Sequence, residues 1–320
     1  MNSTASLPYG LTVRRPAPTD VEAIFGLVSA HHTALLGFPD CTLGDIADRV
    51  VEPGFDRMTD GWLVLAADGV PVGYGSAFGK AAGELIELEV TAQDPSVAAW
   101  LYEQSMTRAR EMGRRGGHAE ITIDIFAYRA DEPLRRLLSD HDFVSGTTYR
   151  RMRIDHTGPV AAPAPPPGVV VRRGMYSDAA RQAAHDTIVD CFRGQFGFVP
   201  RPHEEWLEFR EHSAVFDWSQ LCLLEIDGQG VAFRDCCDLS LETENCGHIA
   251  GLGVVEQYRG RGLAKFLLHD AFAIDAAAGR VGTILLVDTN NPSRAMDLYA
   301  SVGMKPTLTF DGWRRVLPVD

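Results

Sequence analysis

The sequence predicts two α/β units in tandem, each a mixed sheet flanked by helices, and three observations carry that expectation. A proline- and alanine-rich stretch over residues 155–168, DHTGPVAAPAPPPG, has little to bury and divides the 320 residues almost in half. The two halves then repeat the same order of short apolar runs, turns and helical patterns. In the second half, an apolar run passes through a glycine-bearing turn straight into an amphipathic pattern, which reads as strand, loop and helix. The expected boundaries are a first domain over 1–154, a linker over 155–167 and a second domain over 168–320.

Taken in order, residues 11–16 (LTVRRP) are echoed by residues 169–174 (VVVRRG), each read as a short strand. Thr19-Asp20 and Ser177-Asp178 follow as helix starts, and Glu22 makes the first a capping box. Residues 62–67 run into Asp68-Gly69, and residues 221–226 run into Asp227-Gly228, so each half should hold a hairpin. Residues 121–126 and then 130–143 are matched by residues 283–287 and then 290–304, a strand followed by a helix in each half. The halves differ in one place. Where the second has its glycine-bearing turn, the first reads VTAQDPSVAAWL over residues 90–101, with no glycine and with Asp94 placed to oppose any phosphate.

That turn is Gln257-x-x-Gly260-x-Gly262, flanked by Arg259 and Arg261 and followed by Leu263 and Ala264. Glycines let backbone amides approach a ligand, and amides at a helix start carry partial positive charge, so the arrangement suits a pyrophosphate. No Gly-Lys-Ser/Thr run ends the loop, which excludes a P-loop. A dinucleotide fingerprint, with Asp288 as its ribose acid, is a weaker match because its third glycine would fall on Lys265.

The run Gln257-Tyr-Arg-Gly260-Arg-Gly262-Leu-Ala resembles the CoA-pyrophosphate loop of the GNAT N-acetyltransferases. The run from Asn291-Pro-Ser-Arg through Leu-Tyr299-Ala-Ser-Val-Gly303-Met resembles their second motif. The tandem layout is similar to that of the mycothiol synthase group, in which the C-terminal half is the active one. The resemblance implies an α/β fold (an α+β mixed sheet) in two tandem GNAT-like domains, the N-terminal one degenerate. It implies transfer of an acetyl group from acetyl-CoA, or from another acyl-CoA, directly to an amine of a small molecule. The alternatives are a longer acyl group moved to an antibiotic-like acceptor, or a non-catalytic acyl-CoA-binding protein.

Site residues follow residue by residue. Leu252, Gly253 and Val254 would orient the thioester, and Gln257 to Ala264 would hold the pyrophosphate. Asn291 would meet the pantetheine arm or cap its helix. Tyr299 falls where the family's general acid protonates the departing thiolate, and a phenol suits that work. His248 is the candidate base, at a position where many of these enzymes have glutamate; on a regular strand it would share a face with Ala250 and Leu252. Glu242 and Glu244 stand just upstream as replacements, and Cys246 is read as an inert filler rather than a nucleophile.

Composition narrows the partners. A formal net charge of −13 makes a nucleic-acid backbone a poor one and is compatible with a cationic amine. No apolar run suits a membrane span, the first residues lack a signal-peptide pattern, and a cytoplasmic monomer or homodimer is expected. Six cysteines without CxxC spacing or a nearby histidine set predict neither a disulfide framework nor a metal site. The acidic run over residues 203–211 reads as a solvated helix face.

Overall fold

The computed structural model describes residues 6–291 and 293–319. The first residues of the leader reading, 1–5, and Pro292 of the second motif lie outside them.

By its internal contacts the chain forms two compact units, one of residues 1–148 with 310–320 and one of residues 149–309. The first half supplies β1 (Thr12–Arg14), α1 (Val21–Leu36), α2 (Leu43–Val50), α3 (Arg57–Asp60), β2 (Gly61–Leu65), β3 (Pro71–Lys80), β4 (Leu85–Ala92), α4 (Pro95–Gly116), β5 (Glu120–Tyr128), α5 (Glu132–Asp140) and β6 (Val144–Asp155). The second supplies β7 (Val170–Arg173), α6 (Asp178–Phe192), α7 (His203–His212), β8 (Leu221–Ile226), β9 (Gln229–Cys237), α8 (Leu241–Glu244), β10 (Cys246–Val254), α9 (Leu263–Ala277), β11 (Gly282–Asp288), α10 (Ala295–Ser301) and β12 (Lys305–Pro318). The strands of the repeat read from the sequence are therefore present in the same order in both halves, including the hairpins β2–β3 and β8–β9, while the short helices α3 and α8 have no α-helical counterpart in the other half.

The units do not follow the sequence boundaries at 154 and 168. Strand order in the first unit is β1-β2-β3-β4-β5-β12, and in the second β6-β11-β10-β9-β8-β7. The last strand of the chain thus completes the first unit, pairing antiparallel with β5 from Phe310↔Tyr128 to Pro318↔Glu120. Residues 149–155 of β6 complete the second, pairing with β11 from Tyr149↔Asp288 to Asp155↔Gly282. Hydrogen-bonding partners, not the proline-rich segment, set the division. That segment begins within the second unit, where the His156 amide donates to the Val281 carbonyl at 2.8 Å.

One local expectation failed. Asp20 rather than Thr19 precedes α1, and its carboxylate, instead of joining a capping box with Glu22, takes a bidentate bond from Arg14 at 2.5 and 2.7 Å. Ser177 does cap α6, accepting from the Ala180 amide at 3.3 Å.

Packing fixes the faces of the sheet that matter for a site. In the second unit α9 covers one face through Leu268, Ala271 and Phe272, which meet Ile249 of β10 and Leu285 of β11. The opposite face meets α6, where Ile188 and Cys191 pack on Phe233 of β9. Among the described residues no helix is long and apolar enough to cross a membrane.

Candidate active site

The parallel strands β10 and β11 pair only from Cys246↔Gly282 to Ile249↔Leu285. On its other side, β10 stays paired with β9 out to Val254↔Ala232. Beyond Ile249 the edge of β10 that faces β11 has no strand partner among the described residues, so backbone groups of Leu252, Gly253 and Val254 on that edge are available to a ligand. The sequence-predicted thioester residues lie on this open stretch.

A bulge at Ala250 changes what β10 presents. The register with β9 runs His248↔Cys237, Ile249↔Cys236 and then Gly251↔Asp235, so Ala250 is the extra residue. Strict alternation would put His248 with Ala250 and Leu252, and that expectation fails. Leu252 instead joins Ile249 toward α9. His248 shares the α6 face with Gly251 and Gly253. Gly253 is required there, since a Cβ on it would come within 2.5 Å of Cys191 Cβ, and a Cβ on Gly251 would crowd the Phe233 ring at 3.0 Å.

Past β10 the chain makes a short 3-10 turn over Glu256–Tyr258 and enters α9 through Gly260 and Gly262, at φ of +76° and +78°. Both positions favour glycine because a side chain strains the left-handed region by about 1–2 kcal/mol. Nothing lies within 4 Å of where a Cβ would stand on either, so the loop faces open space. Gly262 caps α9 without a side chain to take its first amides, and the first turn holds no acid. Leu263 anchors that turn, 2% exposed, while Gln257, Arg259 and Arg261 are exposed and Ala264 is half-buried. Arg259 Nε donates to the Val254 carbonyl at 3.2 Å, and Arg261 lies 5.1 Å from the Tyr258 ring centre. The result is an uncapped helix start flanked by two cations, an arrangement suited to a pyrophosphate.

The matching place in the first unit has the opposite character. There β4 and β5 also stop pairing early, at Leu88↔Ile125. But α4 begins with Pro95, and the carboxylate of Asp94 caps it by accepting from the Ser96 amide at 2.8 Å. An anion would have to displace a carboxylate that is covalently in place.

His248 is 7% exposed, and burial, reinforced by the Arg151 charge, pushes its imidazole down to about 4. It is therefore neutral at physiological pH. Its Nδ1 lies 3.0 Å from the hydroxyl of Ser240, which precedes α8 without capping it. Arg151 comes from β6 and binds Glu244, which also takes Arg153 at 2.7 Å. Glu244, expected as a replacement base, is committed to these arginines, and Glu242 is exposed on α8.

Tyr299 packs among Ile249 and Leu285, the residues of the last rung before the strands part. Burial pushes its phenol up to about 12, so it remains a proton donor at neutral pH. The side chain of Asn291 accepts from the Ser293 amide at 2.9 Å, which serves the turn before α10. Cys246 is fully buried, its thiol raised by burial and donating to the Glu244 carbonyl at 3.4 Å, as an inert filler would be. Asp288 takes the Asn290 amide at 2.8 Å.

Sequence reasoning missed Ser240, Arg151 and one further pair. Arg210 of α7 reaches Asp235 of β9 with bonds of 2.5 and 3.1 Å, both side chains buried. The exposed acids of α7 do form a solvated face, but its one buried residue is this arginine. A basic residue two positions before the end of an acidic helix gives no signal of burial, and its partner lies 25 residues away.

Comparison with known proteins bears on the fold. Residues 182–304 match the acetyltransferase (GNAT) family. No curated protein sequence matches. Among solved structures, a GCN5-related N-acetyltransferase from Sphaerobacter thermophilus superposes with a TM-score of 0.79 at 22% identity, covering 98% of both chains. A tandem GNAT protein from the clavulanic acid biosynthesis pathway gives 0.68 at 14% identity, over 97% of this chain and all of its own. N-myristoyltransferase of Saccharomyces cerevisiae, solved with myristoyl-CoA, gives 0.63 at 13% identity, over 98% of this chain and 80% of its own. The chain has the fold of tandem GNAT proteins, and its residues 182–304 match the GNAT acetyltransferase family.

Proposed function

We propose that the second unit transfers an acetyl group from acetyl-CoA directly to an amine of a small molecule, and that the first unit binds no CoA. The contrast between the two helix starts carries this reading: α9 opens on two left-handed glycines beside two arginines, and α4 on a proline capped by a carboxylate. The open edge of β10 would align the thioester carbonyl through Leu252 to Val254 and accept its developing negative charge on backbone amides. The amine would attack from the α6 face, where His248 stands. Tyr299, held at the parting of the strands and protonated at neutral pH, would give its proton to the leaving thiolate.

With an imidazole near 4, His248 removes a proton only from an amine that attack has already made acidic; it cannot discharge a free alkylammonium. Its role is that of a neutral hydrogen-bonding partner to the attacking nitrogen, oriented by Ser240.

The test is thioester consumption with acetyl-CoA over an amine library, with products identified by mass spectrometry, in the native protein and in Gly260→Asp. Activity in the native protein and loss of CoA affinity in the variant are expected, because the aspartate adds backbone strain and a negative charge where phosphate would bind. Ser96→Asp in the first unit should leave affinity unchanged. CoA binding without thioester consumption would identify a binding protein instead.

A further inference from the structure

The α6 face of β10 indicates which kind of amine the second unit takes. An alkylamine with a pKa near about 10.4 reaches the site as an ammonium, and an enzyme that uses one needs a free carboxylate to hold it or a competent base to discharge it. Here Asp235 is bound bidentately by Arg210 and Glu244 by Arg151 and Arg153. The charge that acts on His248 is that of Arg151, which would repel an ammonium arriving at the same place. Nothing among these groups recruits a cation.

The wall beside them is aromatic. Immediately past the bulge, Phe192 at the end of α6 stacks edge-on against Phe233 with ring centres 5.3 Å apart, and against Phe198 at 5.5 Å. Phe192 and Phe233 stand over Gly251, the residue that follows the bulged Ala250 beyond the last parallel rung of β10. Phe192 and Phe198 are only half-buried and keep ring surface for a ligand. Tyr149 ties this segment to β6, its hydroxyl donating to the Phe196 carbonyl at 3.4 Å.

Resting on the acyl-transfer reading above, we infer that the acceptor is an arylamine: a weakly basic, uncharged amine on a flat aromatic body that packs against Phe192 and Phe198. Such a nitrogen arrives with its lone pair free. It attacks the thioester carbonyl carbon, the carbon–sulfur bond breaks to release CoA thiolate, and the proton shed by the new amide nitrogen balances the one the thiolate takes up. Neither a free carboxylate nor a strong base is needed, which matches the committed acids and the neutral imidazole of this face.

The experiment compares aniline-type acceptors with cyclohexylamine and benzylamine, using the full chain and acetyl-CoA and following free thiol. The arylamines should give a kcat/KM roughly tenfold or more above the alkylamines, with rates flat from about pH 7 to 9, where alkylamine rates climb as the ammonium loses its proton. Phe198→Ala should lower kcat/KM for arylamines roughly fivefold to tenfold, with the KM for acetyl-CoA unchanged. Phe198→Leu, which keeps the volume, repeats the test if the alanine variant is unstable. Equal or greater activity on alkylamines overturns the arylamine assignment while leaving the acyltransferase reading standing. If acetyl-CoA binds but no amine consumes it, both are overturned.

Discussion

Protonating His248 should destabilise the second unit. Its imidazole is held near 4, against about 6.5 in an unfolded chain, by burial and by Arg151. A folded value depressed below the unfolded one means that the stability is fully present above about 6.5 and is lost as the pH falls toward 4. The full shift corresponds to about 3 kcal/mol. At about pH 5 the unfolded histidine is almost wholly protonated and the folded one roughly a tenth, so moving from pH 7 to 5 costs about 2 kcal/mol from this residue alone. His248→Gln removes the titration while keeping a polar group of similar reach. Urea unfolding of both proteins at pH 7 and 5, with direct NMR titration of the imidazole, measures the difference. A pH dependence that differs between them by less than about 0.5 kcal/mol, or a measured value near 6.5, would refute a dry imidazole beside Arg151. His32 in the first unit, also pushed down to about 4 by burial, should titrate independently and is the internal control.

Three further outcomes are expected. Tyr299→Phe keeps the packing among Ile249 and Leu285 but should lower kcat on the order of 100-fold, with the melting temperature little changed, as stopped-flow thiol release and calorimetry would show. Asp94→Ala should destabilise the first unit by about 1 kcal/mol through loss of its cap to Ser96, without creating CoA affinity, measured by urea unfolding and titration calorimetry. A fragment of residues 149–309 should fold cooperatively and bind CoA, whereas residues 168–320, the division read from the sequence, should not: they lack the β6 segment that pairs with β11 and buries Met152, a loss of about 2–5 kcal/mol in packing alone.

What the sequence made legible was what depends on neighbours in the chain. The hairpins at Asp68-Gly69 and Asp227-Gly228, the strand entering Gly260 and Gly262, and the α4 start at Asp94-Pro95 all rest on residues within a few positions of each other. The face of His248 was not legible, because a one-residue bulge at Ala250 leaves no compositional mark yet reverses every side chain after it. Arg151 and Ser240 were missed for a related reason. Each reaches His248 from another element, and an arginine on a strand or a serine before a short helix reads as ordinary surface until the partner is known.

The exchange of last strands follows from the same limit and bears on the chemistry. Two similar halves joined by a proline-rich segment suggest independent domains, but similarity specifies the kind of partner a strand needs, not which copy supplies it. β11 carries five buried positions among its seven residues, Thr283, Ile284 and Leu285 included, and needs an antiparallel neighbour on the side away from β10. Residues 149–155 satisfy it first in the chain, before residues 310–318 are made, and those later residues satisfy β5. One consequence is that the first half of the sequence delivers Arg151 to His248 and Tyr149 to the aromatic wall, so the α6 face of the second unit is built in part by residues that precede the proline-rich segment. Degeneration of the first half's own loop, where Asp94 fills the anion position, leaves that contribution intact, since β6 lies well after it in the chain. On the proposed acyl-transfer reading, a tandem chain with one donor site would still require both halves of its sequence for the acceptor site.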